Sequence, residues 1–269
     1  MRQIKIGTCI PGTMVEAMLP HIIKAGFETI SINFHMSLEG VDLAELAKKT
    51  KEIIGDSGVE VTTLGFYCNP LQYEDHKKDL EYCIATAPQF GASIVSTFAG
   101  ALEGKKVEES IPVFGRVFSD LAKKAEANHI KIGIENCPMG GTWNHATCNI
   151  GFNPRAWEMM FNEVPAENLG LEWEPTHQMV QLIDPLPQLK QWMKKIVHIH
   201  GKDATIDWDA IRRYGIYEAA DFVYHRTPGF GDNNWRDIIS ILHMGGYEGD
   251  ICIEGYHDPI YHDDWEMTA

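Results

Sequence analysis

The stretch "LGLEWEPTHQ", residues 169–178, sets Glu172, Glu174 and His177 directly after a short apolar run. It reads as a strand ending in carboxylates, where burial is costly for each charge unless something compensates it. Three other runs end in a polar tip: "KIGIEN" (131–136) with Glu135, "IVHIHG" (196–201) with His200, and "DICIEG" (250–255) with Glu254. Four consecutive strand ends of this kind set the frame for the rest of the chain.

Towards the N-terminus, "IKIGTCI" (4–10), "TISINF" (29–34), "VEVTTLGFY" (59–67) and "SIVSTF" (93–98) complete eight strand-like runs. Segments of helical periodicity alternate with them, among them "MVEAMLPHIIKAG", "HKKDLEYCIATAPQFG" and "WRDIISILHMGG", and several close on Gly as helix C-caps do. Eight βα units in a chain of 269 residues predict an α/β fold, the (β/α)8 TIM barrel, as a single domain over residues 1–269. A doubly wound sheet would instead carry a glycine fingerprint after its first strand, and none is present. The irregular stretches 137–152 and 202–234 follow strand C-termini and are the expected active-site loops.

Composition narrows the function. Lys and Arg number 23 against 38 Asp and Glu, a formal charge of −15 that repels a phosphate backbone and excludes general nucleic-acid binding. The six cysteines form no C-x-x-C pair and read as reduced, mostly buried thiols. The chain enters a strand at once, without the pattern of a secretory leader, and no apolar run approaches membrane-spanning length. The expected location is therefore cytoplasmic, with no membrane partner.

On a closed parallel barrel, strand ends on one side converge, so Glu135, Glu174, His200 and Glu254 can share one ion. Three carboxylates side by side repel one another unless a cation neutralises them. Three carboxylates and an imidazole suit a divalent metal, with Mn²⁺ first and Mg²⁺, Co²⁺ and Zn²⁺ compatible. Any one of the four alone would read as a solvated cap or surface ion pair. Glu172 shares the inward face of Glu174 without a role of its own, Trp173 between them should point into the helix layer, and His198 should face inward with His200.

Other residues near the predicted mouth are His35, Tyr67, Cys68, Asn69, Phe98 and Trp143, with Arg226 and Lys202 as cationic candidates for substrate hydroxyls. His225, His257 and His262 are further loop histidines. Gly229 and Gly231 suit a tight turn, since they lack the third Gly and helix register of a dinucleotide loop.

The motifs "IGIEN", "GLEWEPTHQ", "HIHGKD", "HRTPGFGDNNW" and "CIEG" resemble the sugar phosphate isomerase/epimerase family of xylose isomerase-like TIM barrels, in order and register over the second half of the chain. The first half matches in its βα rhythm alone. The resemblance implies metal ligation by Glu135, Glu174, His200 and Glu254, with Glu174 standing where the family commonly has Asp. It also implies substrate contact by His177, three residues past that ligand.

The implied activity is a metal-dependent sugar isomerase or epimerase acting on a ketose or keto-sugar. Protons pass through a metal-stabilised enediolate, and Glu135 and Glu254 act as the catalytic pair on opposite faces of the sugar. His177, Arg226, Lys202, His35 and Trp143 form the expected substrate-binding set. The partner is a small-molecule sugar, and a homo-oligomer is expected by family analogy.

Two alternatives accompany this reading. A lyase, dehydratase or deglycosidase acting on a 3-keto sugar or glycoside would use the same chemistry to expel a leaving group. Glu174, the lack in "HGKDATIDW" of the Arg usual in epimerases, and the long seventh loop are all compatible with it. An apurinic endonuclease would need extra His ligands after the third and fourth strands, which read "GFYCNP" and "STFAG", and an Asp where Val223 stands. With the −15 charge, that alternative is weak.

Overall fold

The computed structural model describes residues 3–217 and 221–261. Its centre is a closed barrel of parallel strands, formed by β1 (Lys5–Pro11), β2 (Thr29–His35), β3 (Glu60–Tyr67), β4 (Ile94–Thr97), β5 (Lys131–Glu135), β6 (Leu169–Trp173), β7 (Ile196–Gly201) and a last strand, Asp250–Ile253. All eight expected runs are strands. Neighbours in sequence are neighbours in the barrel, and the last strand closes it by pairing with both β1 and β7. The α/β barrel expected from the βα count is therefore the fold.

Around the barrel run α1 (Val15–Ala25), α2 (Leu43–Ile54), α3 (Glu74–Phe90), α4 (Val107–Ala127) and α5 (Pro154–Glu163). The short α6 (Pro175–Met179), then α7 (Pro185–Trp192), α8 (Trp208–Tyr214) and α9 (Trp235–Gly245) follow. Each long helix buries one stripe, as Val15, Leu19 and Ile22 show in α1. Gly26, Gly91 and Gly246 end α1, α3 and α9 in the left-handed conformation that the terminal glycines predicted. Trp157 and Trp173 are fully buried between helices and strands, and burial of a large apolar side chain contributes about 1.5–3 kcal/mol.

Two features depart from the simple eightfold pattern. The loop after β7 holds an antiparallel hairpin, β8 (Asp203–Ile206) paired with β9 (Val223–Arg226), so the last barrel strand is β10 (Asp250–Ile253). Its two strands have four residues each and are joined by a long connection, so no short-turn signal marks them. The helix α8 within that connection buries none of its residues and so shows no apolar stripe.

Candidate metal centre

Local sequence explains how β6 delivers Glu174. Pro175 occupies the first turn of α6 and disfavours helical backbone in the residue before it, so Glu174 stays extended (φ −130°, ψ 120°) as the N-cap. Asn136, just past β5, then clamps it on both sides: the Glu174 N–H donates to Asn136 Oδ1 (2.7 Å) and Asn136 Nδ2 donates to the Glu174 carbonyl (2.8 Å). The strand therefore stops abruptly with the Glu174 backbone pinned to the residue that follows β5.

The structure brings Glu135, Glu174, His200 and Glu254 together, each offering one ligand atom, all within 4.8 Å of one another. All four are buried. His200 turns Nδ1 to the carboxylates, 3.2 Å from Glu135 Oε1 and 3.7 Å from an oxygen of both Glu174 and Glu254. Glu174 Oε1 makes no hydrogen bond of good geometry, although His177 Nε2 lies 3.2 Å and Lys202 Nζ 3.4 Å from it. An orphaned carboxylate oxygen in a cluster of three acids and an outward-turned imidazole nitrogen fits a divalent cation. Glu135, Glu174, His200 and Glu254 are the residues that would hold it.

Lys202 and the histidines carry the positive charge that the cluster demands. The Lys202 ammonium is 2% exposed and donates to Glu254 Oε2 at 2.6 Å, with Glu174 at 3.4 Å. Burial opposes its charge, but Glu174 and Glu254 outweigh that and raise its pKa. Burial likewise works against His200, yet Cys9 and Glu172 hold its pKa well above the ordinary imidazole value. Burial would raise Glu174, but His177 and Lys202 keep it well below the usual carboxylate range. For Glu135 burial wins over its two histidine neighbours and the pKa rises.

Glu172 gains the role that its sequence position left open. A register shift in β6 sets it opposite His198 and level with Glu135, fully buried inside the barrel. Its Oε1 lies 2.6 Å from His198 Nδ1 and 3.3 Å from His200 Nε2, and its Oε2 accepts from the Tyr67 hydroxyl at 2.8 Å. The Tyr67 hydroxyl hydrogen-bonds His200 Nε2 (3.3 Å), and together with the Glu172 carboxylate behind the imidazole it directs Nδ1 outward, as partners of metal-ligating histidines do. His198 continues the chain to Asp250 Oδ1, 3.6 Å from its Nε2.

A cavity of about 580 Å³ opens over this cluster, lined by Glu135, His177, Lys202 and Glu254 together with His35, His225 and His257. The expected contacts His177, Lys202 and His35 are thus in its wall. Arg226 and Trp143 are not among its lining residues. Arg226 donates through Nε to Asp258 Oδ2 (3.1 Å), tying β9 to the loop after β10. Trp143 donates to Glu108 Oε1 (2.7 Å) beneath the Arg155 guanidinium, because its loop folds back onto the start of α4. His262 lies outside the described residues.

Asp203, inside "HGKD", organises the mouth without touching the cluster. Its buried carboxylate accepts from the backbone N–H groups of Gly229, Gly231 and Asn233 and from Trp235 Nε1. A Cβ on Gly231 would lie 2.4 Å from that carboxylate, so glycine is required for the approach. The turn expected of the glycine pair is built around this one side chain.

The model of the xylose isomerase-like TIM barrel family matches residues 20–268. The chain belongs to that family. Among sequence relatives, the uncharacterized protein YfiH of Bacillus subtilis is 27% identical over 144 residues, 50% of this chain and 43% of that one. Inosose dehydratase of Clostridium tetani is 29% identical over 79 residues, 28% of this chain and 26% of the relative. The matched stretches span less than half the length of these relatives. Among solved members of the xylose isomerase-like fold, a D-tagatose 3-epimerase-like protein superposes with a TM-score of 0.73 at 20% identity, covering 98% of this chain and 95% of the other. The 3-keto-D-glucoside 4-epimerase YcjR from E. coli gives 0.68 at 16% identity, covering 99% and 100%. Among the described residues, no helix is long and apolar enough to cross a membrane.

Proposed function

We propose that this xylose isomerase-like barrel is a divalent-metal-dependent isomerase or epimerase of a ketose or keto-sugar, with Mn²⁺ the preferred ion. The observation carrying this reading is the convergence of Glu135, Glu174, His200 and Glu254 at the base of a sugar-sized cavity. A divalent cation held there supplies Lewis acidity, acidifying the C–H beside a carbonyl and stabilising the negative charge that forms when the proton leaves.

The protein's own residues do the rest. Glu135 and Glu254 come from strands separated by β6 and β7, so they reach the cavity from different sides. One removes the proton and the other returns it. Tyr256 donates to Glu254 Oε1 (2.6 Å) and Lys202 to its Oε2, which orients that carboxylate. His177 and His35 contact substrate hydroxyls from the wall, and the barrel walls shield the transferred proton from bulk water.

A second reading is elimination by a dehydratase, lyase or deglycosidase on a 3-keto sugar. Lys202 supports it, because an ammonium beside Glu254 places a donor near a departing oxygen. The similarity to inosose dehydratase supports it as well. The test is incubation with Mn²⁺ and a panel of ketoses and 3-keto-glycosides in D₂O. Isomerase or epimerase action puts deuterium beside the carbonyl with all other atoms retained, whereas elimination releases water or the aglycone. Exchange that survives Glu254→Gln would remove Glu254 from the mechanism.

A further inference from the structure

The two halves of the cavity differ in chemistry. The side over β5, β6, β7 and β10 presents Glu135, His177, Lys202 and Glu254. Over β1 to β4 the wall is mostly apolar and aromatic, built by Ile10, Pro11, Phe34, Tyr67 and Phe98 with Met139 from the loop after β5, and it is interrupted by Asn33 and His35. Tyr67 and Phe98 stand 5.4 Å apart between ring centroids, and His35 meets Phe98 edge-on at 6.0 Å. Aromatic faces of this kind suit the C–H face of a sugar ring.

Charge sharpens the distinction. Lys202 is the one Lys or Arg among the described residues lining the cavity, and both of its partners are cluster carboxylates. His177 is turned to Glu174, and His257 Nδ1 lies 3.7 Å from Glu254. His225 packs against His177 and His257, and burial first and Lys202 second push its pKa down to about 4. Glu39 adds a carboxylate to the aromatic side of the mouth.

The backbone there is also unusual. Among the described non-glycine residues, five have positive φ, and Met36 (59°), Glu39 (54°) and Met139 (48°) belong to the two loops beside this wall. Such conformations are costly and persist where surrounding structure over-determines them. Glu39 is exposed at the mouth, and its N–H donates to Ser37 Oγ at 3.0 Å.

We propose that the cavity selects uncharged keto sugars and rejects sugar phosphates and sugar acids, with Glu39 as a specificity-determining side chain and the Phe34, Tyr67 and Phe98 wall seating the apolar face of the ring. This rests on the keto-sugar reading of the same site. Among the described lining residues, a phosphate at the far end of the substrate would find no Lys or Arg besides the carboxylate-paired Lys202 and would meet the Glu39 carboxylate, and like charges brought together in this way oppose binding.

The test uses the Mn²⁺-loaded protein and two matched pairs: D-fructose with D-fructose 6-phosphate, and methyl 3-keto-glucoside with its 6-phosphate. Calorimetry reads binding and D₂O exchange reads chemistry. The neutral member of a pair binds about tenfold or more tighter, and Glu39→Lys shrinks that ratio by about threefold or more. Phe98→Ala weakens both members of a pair. Equal or tighter binding of the phosphorylated members, a ratio indifferent to Glu39→Lys, or no binding of either neutral sugar overturns the proposal. Neutral sugars that bind selectively without exchange leave it standing and overturn the proton-transfer reading instead.

Discussion

Glu172 Oε1 lies 3.3 Å from His200 Nε2, on the far side of the imidazole from Glu135, Glu174 and Glu254. The contact joins the barrel's interior polar network to its rim. It also predicts that Glu172, which contributes no atom to the rim cluster, tunes cation affinity. Glu172→Gln keeps the side-chain volume but weakens the anchor on the ring, and Mn²⁺ affinity measured by calorimetry should fall about 10–100-fold. An unchanged affinity would show that His200 is oriented without Glu172.

Cation binding should add stability in proportion to affinity. At a free Mn²⁺ concentration of 100 Kd the gain is about 2.7 kcal/mol, and for a chain of this length that corresponds to a rise in Tm of roughly 5–10 °C. Differential scanning fluorimetry of the EDTA-treated and Mn²⁺-supplemented protein reads it directly. His200→Ala should abolish the increment. An equal rise in that variant would place the cation elsewhere.

Lys202 should matter most when no cation is present. Its 2.6 Å contact with Glu254 is buried, and removing one partner of a buried pair leaves an uncompensated charge, at a cost of about 3–5 kcal/mol. Lys202→Met should therefore lower the denaturation midpoint strongly in EDTA, and saturating Mn²⁺ should recover part of the loss. A variant as stable as the parent in EDTA would show that the carboxylates are neutralised by protons instead.

The hairpin contact through Asp258 predicts an acid-sensitive mouth. Burial would raise this carboxyl, but the N–H groups of Thr227 and Ile260 and the Arg226 guanidinium hold its pKa below the usual value. A carboxylate depressed in the folded state contributes stability that is complete above its unfolded pKa, about 3.9, and is lost as pH falls through the lower folded value. Hydrogen exchange at Thr227 N–H should therefore accelerate below about pH 4 in the parent protein. In Asp258→Asn it should be fast, with little dependence on this titration. Equal protection in both proteins would separate Asp258 from the closure of β9.

Much of this was legible in the sequence because burial writes itself into period. Eight β-branched runs and their Gly-capped helices gave the barrel, and β6 and β7 have the bounds that alternation indicated. Glu135, Glu174, His200 and Glu254 were visible as strand ends, since a barrel's topology alone makes them neighbours. The hairpin and α8 were not, because four-residue strands without alternating burial and a helix with no buried residue carry no periodic signal.

Arg226 and Trp143 looked like substrate contacts from loop position, but the direction of a loop side chain depends on tertiary partners, here Asp258 and Glu108. Asn136 and Asp203 were missed because their work is done on backbone groups distant in sequence. The two-residue period placed Glu172 inside with Glu174, but its role depends on Tyr67, His198 and His200, which come from other strands.

The most direct test is anomalous diffraction from crystals grown with Mn²⁺. The expected result is one strong peak within about 2.0–2.3 Å of a carboxylate oxygen from each of Glu135, Glu174 and Glu254 and of Nδ1 of His200. A peak elsewhere, or four side chains left without a cation at saturating Mn²⁺, would contradict the proposal that these residues form one metal centre.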